Sequence, residues 1–248
     1  MKTRIATILS FLSLAAAGAA HAQEAASSLS WNLGAVSDYR YRGISQTRLH
    51  PAIQGGADYT DAGSGLYAGT WLSSISWARD AGGGGHAEVD LYAGKRGELG
   101  AGVTYDVGVL GYVYPANGLK DLPGFVDANT GEVYAQLARG PYYIKVSNAL
   151  TNLFGFVDSR YSSYLDLGAN LDMGNGITLV LHGGRQHVQH SANASYTDWK
   201  LGASKAWGAT TATLALVATN AQEAAYTSAR NGKFLGKNGV TLQVVRSF

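Results

Sequence analysis

The chain has 248 residues, no cysteine, and 19 Lys and Arg against 17 Asp and Glu. Without cysteine it cannot be a disulfide-stabilised scaffold. Because Lys2 and Arg4 at the N-terminus account for the excess of cations, nothing favours nucleic acid as a partner.

The first 22 residues have the three-part pattern of a secretory signal peptide. Two cations are followed by an apolar stretch and then by the small-x-small site Ala20-His21-Ala22. We therefore expect residues 1–22 to be a cleaved signal peptide and residues 23–248 to form one large domain. No later stretch reaches 18 consecutive apolar residues. A membrane crossing would therefore need a closed β-barrel, in which every backbone group pairs with a neighbouring strand.

Beyond the leader, apolar and polar residues alternate in segment after segment, which is the pattern of strands with one apolar face. We count twelve such segments of roughly 9–11 residues, the length that a tilted strand needs to cross a bilayer. They begin near Leu29, Ile53, Leu66, Val89, Val103, Val133, Tyr142, Leu165, Ile177, Trp199, Leu214 and Val240. The sequence thus predicts an all-β fold.

The first segment is expected to continue through Tyr39-Arg40-Tyr41-Arg42. In this interpretation Tyr39 and Tyr41 face lipid, while Arg40 and Arg42 share the opposite face with Asp38 because side chains alternate along a strand. The two arginines then form either a clamp for an anionic solute or an arginine–carboxylate ladder that fixes the mouth of the barrel.

Short turns and longer loops alternate between the twelve segments. Turns are expected at residues 61–64 and near Gly97, Gly140, Asn175 and Gly208; loops are expected near residues 44–50, 78–86, 115–129, 150–160, 187–195 and 220–237. An even number of strands with short turns at one end and long loops at the other is typical of outer-membrane barrels. We therefore predict a closed antiparallel transmembrane β-barrel with periplasmic turns and extracellular loops.

Aromatic residues are expected to form a girdle at each end of the strands. Trp31, Tyr67, Tyr142 and Trp207 lie beside the turns, and Tyr39, Tyr41, Trp77, Tyr161, Tyr164 and Trp199 lie near the loops. The last segment ends in Phe248, which resembles the closing strand of bacterial outer-membrane barrels, although Arg246 departs from that pattern. Outer-membrane lipid and, through this strand, the barrel assembly machinery are therefore expected partners.

Several blocks of the sequence resemble a known family. They are SDYRYRGISQT (37–47), PAIQGG (51–56), GLYAGTWLSS (65–74), EVDLYAGKRG (88–97) and GEVYAQL (131–137). Together they are similar to the TorF family of porins, also catalogued as Gcw_chp. The resemblance implies an outer-membrane location and a pore, and it brings no catalytic or ligand-binding residues with it.

The polar face of the predicted strands would line a lumen. The candidate pore-lining residues are Arg40, Arg42, Asp58, Glu88, Asp90, Asp106, Lys145, Asp166 and Lys200. Because rings of charge set selectivity, their acidic surplus predicts a porin-like channel for passive diffusion of small hydrophilic solutes or ions, with a mild preference for cations. Alternatively, these charges pair across the lumen and close it, which gives a structural barrel without transport.

No cofactor, metal site or enzymatic activity is expected. The spacings between His182, His187 and His190 are five and three residues, so neighbours on one strand would face opposite ways. An outer-membrane lipid hydrolase is the remaining alternative. Ser162 or Ser163 would lie near His187 across adjacent strands, but the chain has no G-x-S-x-G nucleophile elbow.

Overall fold

The computed structural model of the protein describes residues 27–248, so the predicted signal peptide lies outside the described residues. Within this range, twelve antiparallel strands form one closed barrel, and two further short strands form a separate hairpin. The strands are β1 (Ser28–Val36), β2 (Arg40–Tyr41), β3 (Ile44–Ser45), β4 (Ala52–Thr60), β5 (Leu66–Ser74), β6 (Ala87–Gly100), β7 (Val103–Val113), β8 (Thr130–Arg139), β9 (Tyr142–Ala149), β10 (Ser163–Gly174), β11 (Ile177–His187), β12 (Tyr196–Trp207), β13 (Thr210–Thr219) and β14 (Gly239–Ser247). The predicted twelve-stranded barrel is confirmed.

The barrel closes between its first and last strands. β1 pairs with β14, where Asn32 lies opposite Ser247, and with β4 on its other side. The backbone N–H of Phe248 donates to the carbonyl oxygen of Trp31 at 2.9 Å, which continues the seam to the last residue. Closure leaves no strand edge to pair with another chain.

Six long loops lie at one end of the barrel, which we call the loop end. They are L1 (37–51), L2 (75–86), L3 (114–129), L4 (150–162), L5 (188–195) and L6 (220–238). L2 contains helix α1 (Trp77–Asp80) and L6 contains helix α2 (Glu223–Tyr226). None of the helices in the described range is long and apolar enough to cross a membrane.

Five short turns and the two ends of the described chain lie at the opposite end, the turn end. Four of the predicted turns are confirmed, but the turn predicted near Gly97 is wrong, since β6 continues to Gly100 and turns at Ala101 and Gly102. Both turn residues have positive φ, 51° and 71°. Gly97 lies within the strand opposite Tyr105, and its missing side chain leaves room for that ring.

The outer face of the barrel is apolar. Leu29, Trp31 and Leu33 are more than half exposed, and the same alternation follows along the other strands. Of the predicted girdle residues, Trp31, Tyr142 and Trp207 are exposed beside the turns, and Tyr161 and Trp199 are exposed near the loops. Tyr39, Tyr67 and Tyr164 are buried, and Trp77 and Tyr41 pack against the internal core. The girdle prediction is therefore wrong for these five.

Tyrosine rings on the inner wall lie over glycines of the neighbouring strand. The register pairs are Tyr92 with Gly69, Tyr67 with Gly94, Tyr134 with Gly108 and Tyr143 with Gly168. A Cβ atom added to any of these glycines would lie 2.3–2.5 Å from the facing tyrosine. The glycines therefore let large rings lie flat against the wall, which keeps the rings out of the middle of the barrel.

Candidate functional site: the barrel lumen

The stretch after β1 folds into the barrel instead of continuing as a strand. β1 ends at Val36, and L1 then forms the β2–β3 hairpin inside the loop end. Asp38 holds this hairpin together, because its carboxylate accepts hydrogen bonds from Ser45 Oγ and from Arg40 Nε, both at 2.5 Å. The prediction that the first segment extends to Arg42 is therefore wrong. We call residues 38–47 the plug.

The aromatic residues of the plug lie inside the barrel, not against lipid. Tyr39 is 6% exposed, its hydroxyl donates to Glu88 Oε1 at 2.6 Å, and its ring packs edge-on against Trp71 at 5.2 Å. The hydroxyl of Tyr41 is hydrogen-bonded to that of Tyr112 on β7. The lipid-facing prediction for both tyrosines is wrong because their segment is a hairpin that crosses the lumen.

Arg42 reaches the far wall of the barrel. Its Nη2 donates to Glu132 on β8 at 2.8 Å and its Nη1 donates to Gln186 on β11, also at 2.8 Å. The guanidinium carbon lies 4.3 Å from the centre of the Tyr164 ring. Since L1 is attached to β1 and β4 on the other side of the barrel, these contacts extend the plug across the lumen.

Arg40 does not share a face with Arg42, contrary to the prediction. Arg42 lies in the tight turn of the hairpin with a φ of 46°, which turns the two side chains apart. Arg40 pairs with Asp38, as the ladder alternative requires. Its Nη1 also donates to the carbonyl oxygens of Leu235 and Lys237 in L6, at 3.2 and 2.8 Å. Arg40 therefore fastens the plug to a loop.

L2 and L6 hold the plug from outside. The backbone N–H groups of Ser76 and Trp77 donate to the carbonyl oxygen of Gln46 at 2.8 and 3.2 Å. Arg48 forms a two-point ion pair with Asp80 of L2, and Ser228 Oγ of L6 donates to the same carboxylate at 3.3 Å. One buried carboxylate thus connects three loops.

Replacing Asp80 with Ala is expected to loosen the loop end. The change removes the acceptor that L1, L2 and L6 share and leaves Arg48 without its buried partner. Limited trypsin digestion of the folded protein in lipid should cut after Arg48 several-fold faster than in the wild type. Asp158→Ala, which removes an exposed carboxylate in L4, is the control; equal cleavage rates in the two variants would contradict this role.

Most of the predicted pore-lining carboxylates accept hydrogen bonds on the inner wall. Tyr92 donates to Asp58 and Tyr67 donates to Asp106, each at 2.5 Å. Asp90 is 1% exposed and its Oδ1 has no hydrogen-bond partner in the described part of the chain. These acids, with Glu88 beneath Tyr39, lie on the β4–β8 side of the lumen.

The predicted pore-lining cations lie on the plug and on strands β9 and β12. Lys145 Nζ is 4.0 Å from the centre of the Tyr134 ring, and Lys145, Lys200 and Asp166 line the same internal cavity as Arg40 and Arg42. The structure therefore gathers the nine predicted residues on the inner wall and the plug. Conduction past them stays a prediction.

His182 belongs to an inner-wall cluster that the sequence did not reveal. Its Nδ1 lies 2.8 Å from Asp166 Oδ1 and its Nε2 lies 2.8 Å from Asp198 Oδ1. Tyr164 adds a hydroxyl that donates to Asp198 Oδ2 at 2.9 Å. A protonated imidazole donates from both nitrogens, so this geometry suits a histidine cation between two carboxylates.

The side chains of His182, His187 and His190 do not come together at one site. His187 is exposed and contacts Gln189 at 3.1 Å, and His190 contacts the carbonyl oxygen of Asp158 at 2.9 Å. In residues 27–248 no group of three or more His, Cys, Asp and Glu side chains is arranged to hold a metal ion.

The serine and histidine considered for a hydrolase lie close in register but are not hydrogen-bonded to each other. Ser163 pairs with His187 across β10 and β11, as predicted. Ser162 Oγ instead donates to the carbonyl oxygen of Ser159 at 2.6 Å, and His187 Nε2 contacts Gln189. The described geometry therefore lacks the nucleophile–base contact of that chemistry.

The plug separates two cavities. The inner cavity, of about 160 Å³, lies below the plug and is lined by polar side chains of the wall, among them Gln54, Asp166, His182 and Lys200. The outer cavity, of about 270 Å³, lies among the loops and has mostly apolar walls with eight aromatic residues. Tyr41 and Arg42 line both cavities, so these two side chains form the partition between them.

Solved structures with a similar barrel include outer-membrane porins. The chain is similar to the solved structure "KdgM porin in complex with disordered oligogalacturonate", with a TM-score of 0.53, 7% identity and coverage of 90% of this chain and 99% of that chain. A second KdgM porin structure gives a TM-score of 0.53 and 6% identity, covering 90% and 98% of the two chains. LpxR from Salmonella typhimurium gives a TM-score of 0.44 and 11% identity, covering 88% and 99%. No curated protein matches the chain.

At such low identity the likeness shows the fold alone, namely the closed barrel of the outer-membrane porins. Membership of a family is shown by the sequence instead. A family model described as "Bacterial protein of unknown function (Gcw_chp)" matches residues 20–248. The predicted resemblance is confirmed for Gcw_chp, whereas no comparison tests the name TorF. The chain belongs to the Gcw_chp family and has an outer-membrane porin fold.

Proposed function

We propose that the protein is a constricted outer-membrane channel for passive diffusion of small hydrophilic solutes or ions. The observation that carries this proposal is the position of Tyr41 and Arg42, which line both a polar inner cavity and a cavity at the loop end. A barrel that served only as a scaffold would be more stable with an apolar filling, because buried charges are costly to desolvate. The charged wall is therefore better explained by a water-filled path.

The acidic surplus of the wall supports cations as the preferred solutes. The inner-wall acids are Asp58, Glu88, Asp90, Asp106, Glu132, Asp166 and Asp198, against the wall cations Arg96, Lys145 and Lys200, Arg42 of the plug and the His182 imidazole between Asp166 and Asp198. Rings of charge set selectivity in channels.

Ion current through the refolded protein tests the proposal. In planar bilayers, the full chain is expected to give discrete conductance steps that are small for a twelve-stranded barrel, because the plug narrows the path. The absence of current at any voltage would overturn the proposal. A structural barrel would then be favoured, since the plug makes hydrogen bonds to Glu88 on β6 and to Gln186 on β11, on two sides of the wall.

Replacing Asp90 and Asp106 with Asn is expected to lower the preference for cations. Both side chains lie on the inner wall, and Asn keeps an acceptor for the Tyr67 hydroxyl that bonds to Asp106. Reversal potentials across a salt gradient should move towards zero. Asp61→Asn, in a turn outside the lumen, is the control, and an unchanged reversal potential in the double variant would remove these residues from the path.

We further propose that the barrel has no lipid-hydrolase activity. This rests on the separate hydrogen bonds of Ser162 and His187. Incubating the protein with phospholipid vesicles and measuring released fatty acid tests the point. Release that disappears in a His187→Ala variant would overturn it.

A further inference from the structure

The outer cavity is built by nearly all parts of the loop end. Residues of the plug, L2, L3, L4 and L6 line it, and β11 and β12 add Gln186 and Tyr196. Its volume of about 270 Å³ is just below the usual range for small-molecule sites. The space suits a molecule of one or two rings.

Aromatic side chains in the walls of this cavity pack against one another edge-on. Trp77 meets Tyr114 edge-on at 5.1 Å, and Tyr196 meets Tyr226 edge-on, also at 5.1 Å. Phe154 and Phe156 of L4 complete the ring of aromatic residues. Such walls offer water few hydrogen-bond partners, and apolar cavities of this kind bind small aromatic molecules.

The floor of the cavity provides a polar contact without net charge. Arg42 is paired with Glu132 at 2.8 Å, so the floor does not select for an anion. Arg42 donates to Glu132 and Gln186, and a guanidinium has five N–H groups. It therefore retains donors for an oxygen acceptor of a bound molecule.

We propose that the outer cavity is a binding site for a neutral aromatic molecule of one or two rings that carries one polar group. The rings lie between the aromatic side chains of L2, L4 and L6, and the polar group faces Arg42. Binding is a property of the loops and does not need conduction. That a transported solute binds in the outer cavity before it passes the plug rests on the proposed channel function.

Titration with 4-fluorophenol tests this site. The full-length protein in lipid nanodiscs is expected to shift and broaden the ¹⁹F resonance in a saturable way beyond the effect of empty nanodiscs. Ala225→Phe in L6 and Ala81→Phe in L2 each place a ring inside the cavity, and each should weaken binding by about tenfold or more. Heat-modifiable migration on gels shows whether each variant is folded.

Ala224→Phe is the matched control. Ala224 is the exposed neighbour of Ala225 in α2 and does not line the cavity, so this variant should bind 4-fluorophenol like the wild type. Saturable binding lost in a folded Ala225 or Ala81 variant supports the site, whether or not the protein conducts ions. Non-saturable partitioning, or equal binding in both filled variants and the control, overturns it even if the protein conducts.

Discussion

Replacing Arg42 with Ser is expected to raise the single-channel conductance several-fold. The guanidinium spans from the plug to both Glu132 and Gln186 and forms, with Tyr41, the partition between the two cavities. Serine is too short to make either contact, so the inner and outer cavities would join. Planar-bilayer recordings at matched salt and voltage measure the change.

Loss of Arg42 alone leaves Glu132 buried with the Tyr112 hydroxyl, at 3.1 Å, as its side-chain donor among residues 27–248, and an unpaired buried charge is destabilising. The double variant Arg42→Ser with Glu132→Gln removes both charges and is expected to conduct as well as the single variant. Arg185→Ser, on the exposed outer face of β11, is the control. Conductance at or below the wild-type level in both folded Arg42 variants would show that Arg42 is not the barrier.

Replacing Gly168 with Val is expected to reduce the free energy of unfolding by about 3 kcal/mol, the upper part of the range for overpacked sites. A Cβ atom at Gly168 would lie 2.3 Å from the Tyr143 ring, so the ring would have to leave the wall. Urea titration of the protein in lipid vesicles, followed by tryptophan fluorescence, measures the loss.

Gly183→Val provides a matched control for this variant. Gly183 lies on the adjacent strand β11, opposite Leu167, and a Cβ there has its nearest neighbour at 3.8 Å. Its stability should stay close to the wild-type value. Combining Gly168→Val with Tyr143→Leu should recover part of the lost stability, because the smaller side chain leaves room for the valine. If the double variant instead lost as much free energy of unfolding as the two single variants together, the proposed packing of the ring over the glycine would be contradicted.

The barrel wall was predictable from the sequence because its signal is local. Side chains alternate between the two faces with a period of two, and the outer residues Leu29, Trp31 and Leu33 follow that period. Turn positions were equally local, except near Gly97. Gly97 makes room for the Tyr105 ring within a strand, and the sequence alone does not distinguish such a glycine from one that forms a turn.

The plug was not predictable because its conformation depends on distant partners. Asp38 to Arg42 keep the alternation of a strand, and nothing within this stretch distinguishes lipid-facing tyrosines from buried ones. The deciding contacts join Tyr39 to a residue 49 positions away and Arg42 to one 90 positions away. The His182 cluster was missed for a related reason, since the period gives the face of a strand but not its register with neighbouring strands.

The contacts of Arg40 have a consequence for the order of folding. Arg40 Nη1 reaches the carbonyl oxygen of Lys237, 197 positions along the chain, and Lys237 lies two residues before β14, the strand that closes the barrel against β1. Contacts of such long range form late, because the intervening chain must first be ordered. During insertion the unfinished barrel would therefore hold a plug that contacts β6, β8 and β11 but is not yet fastened to L6. The plug gains this last anchor only when the final strand arrives.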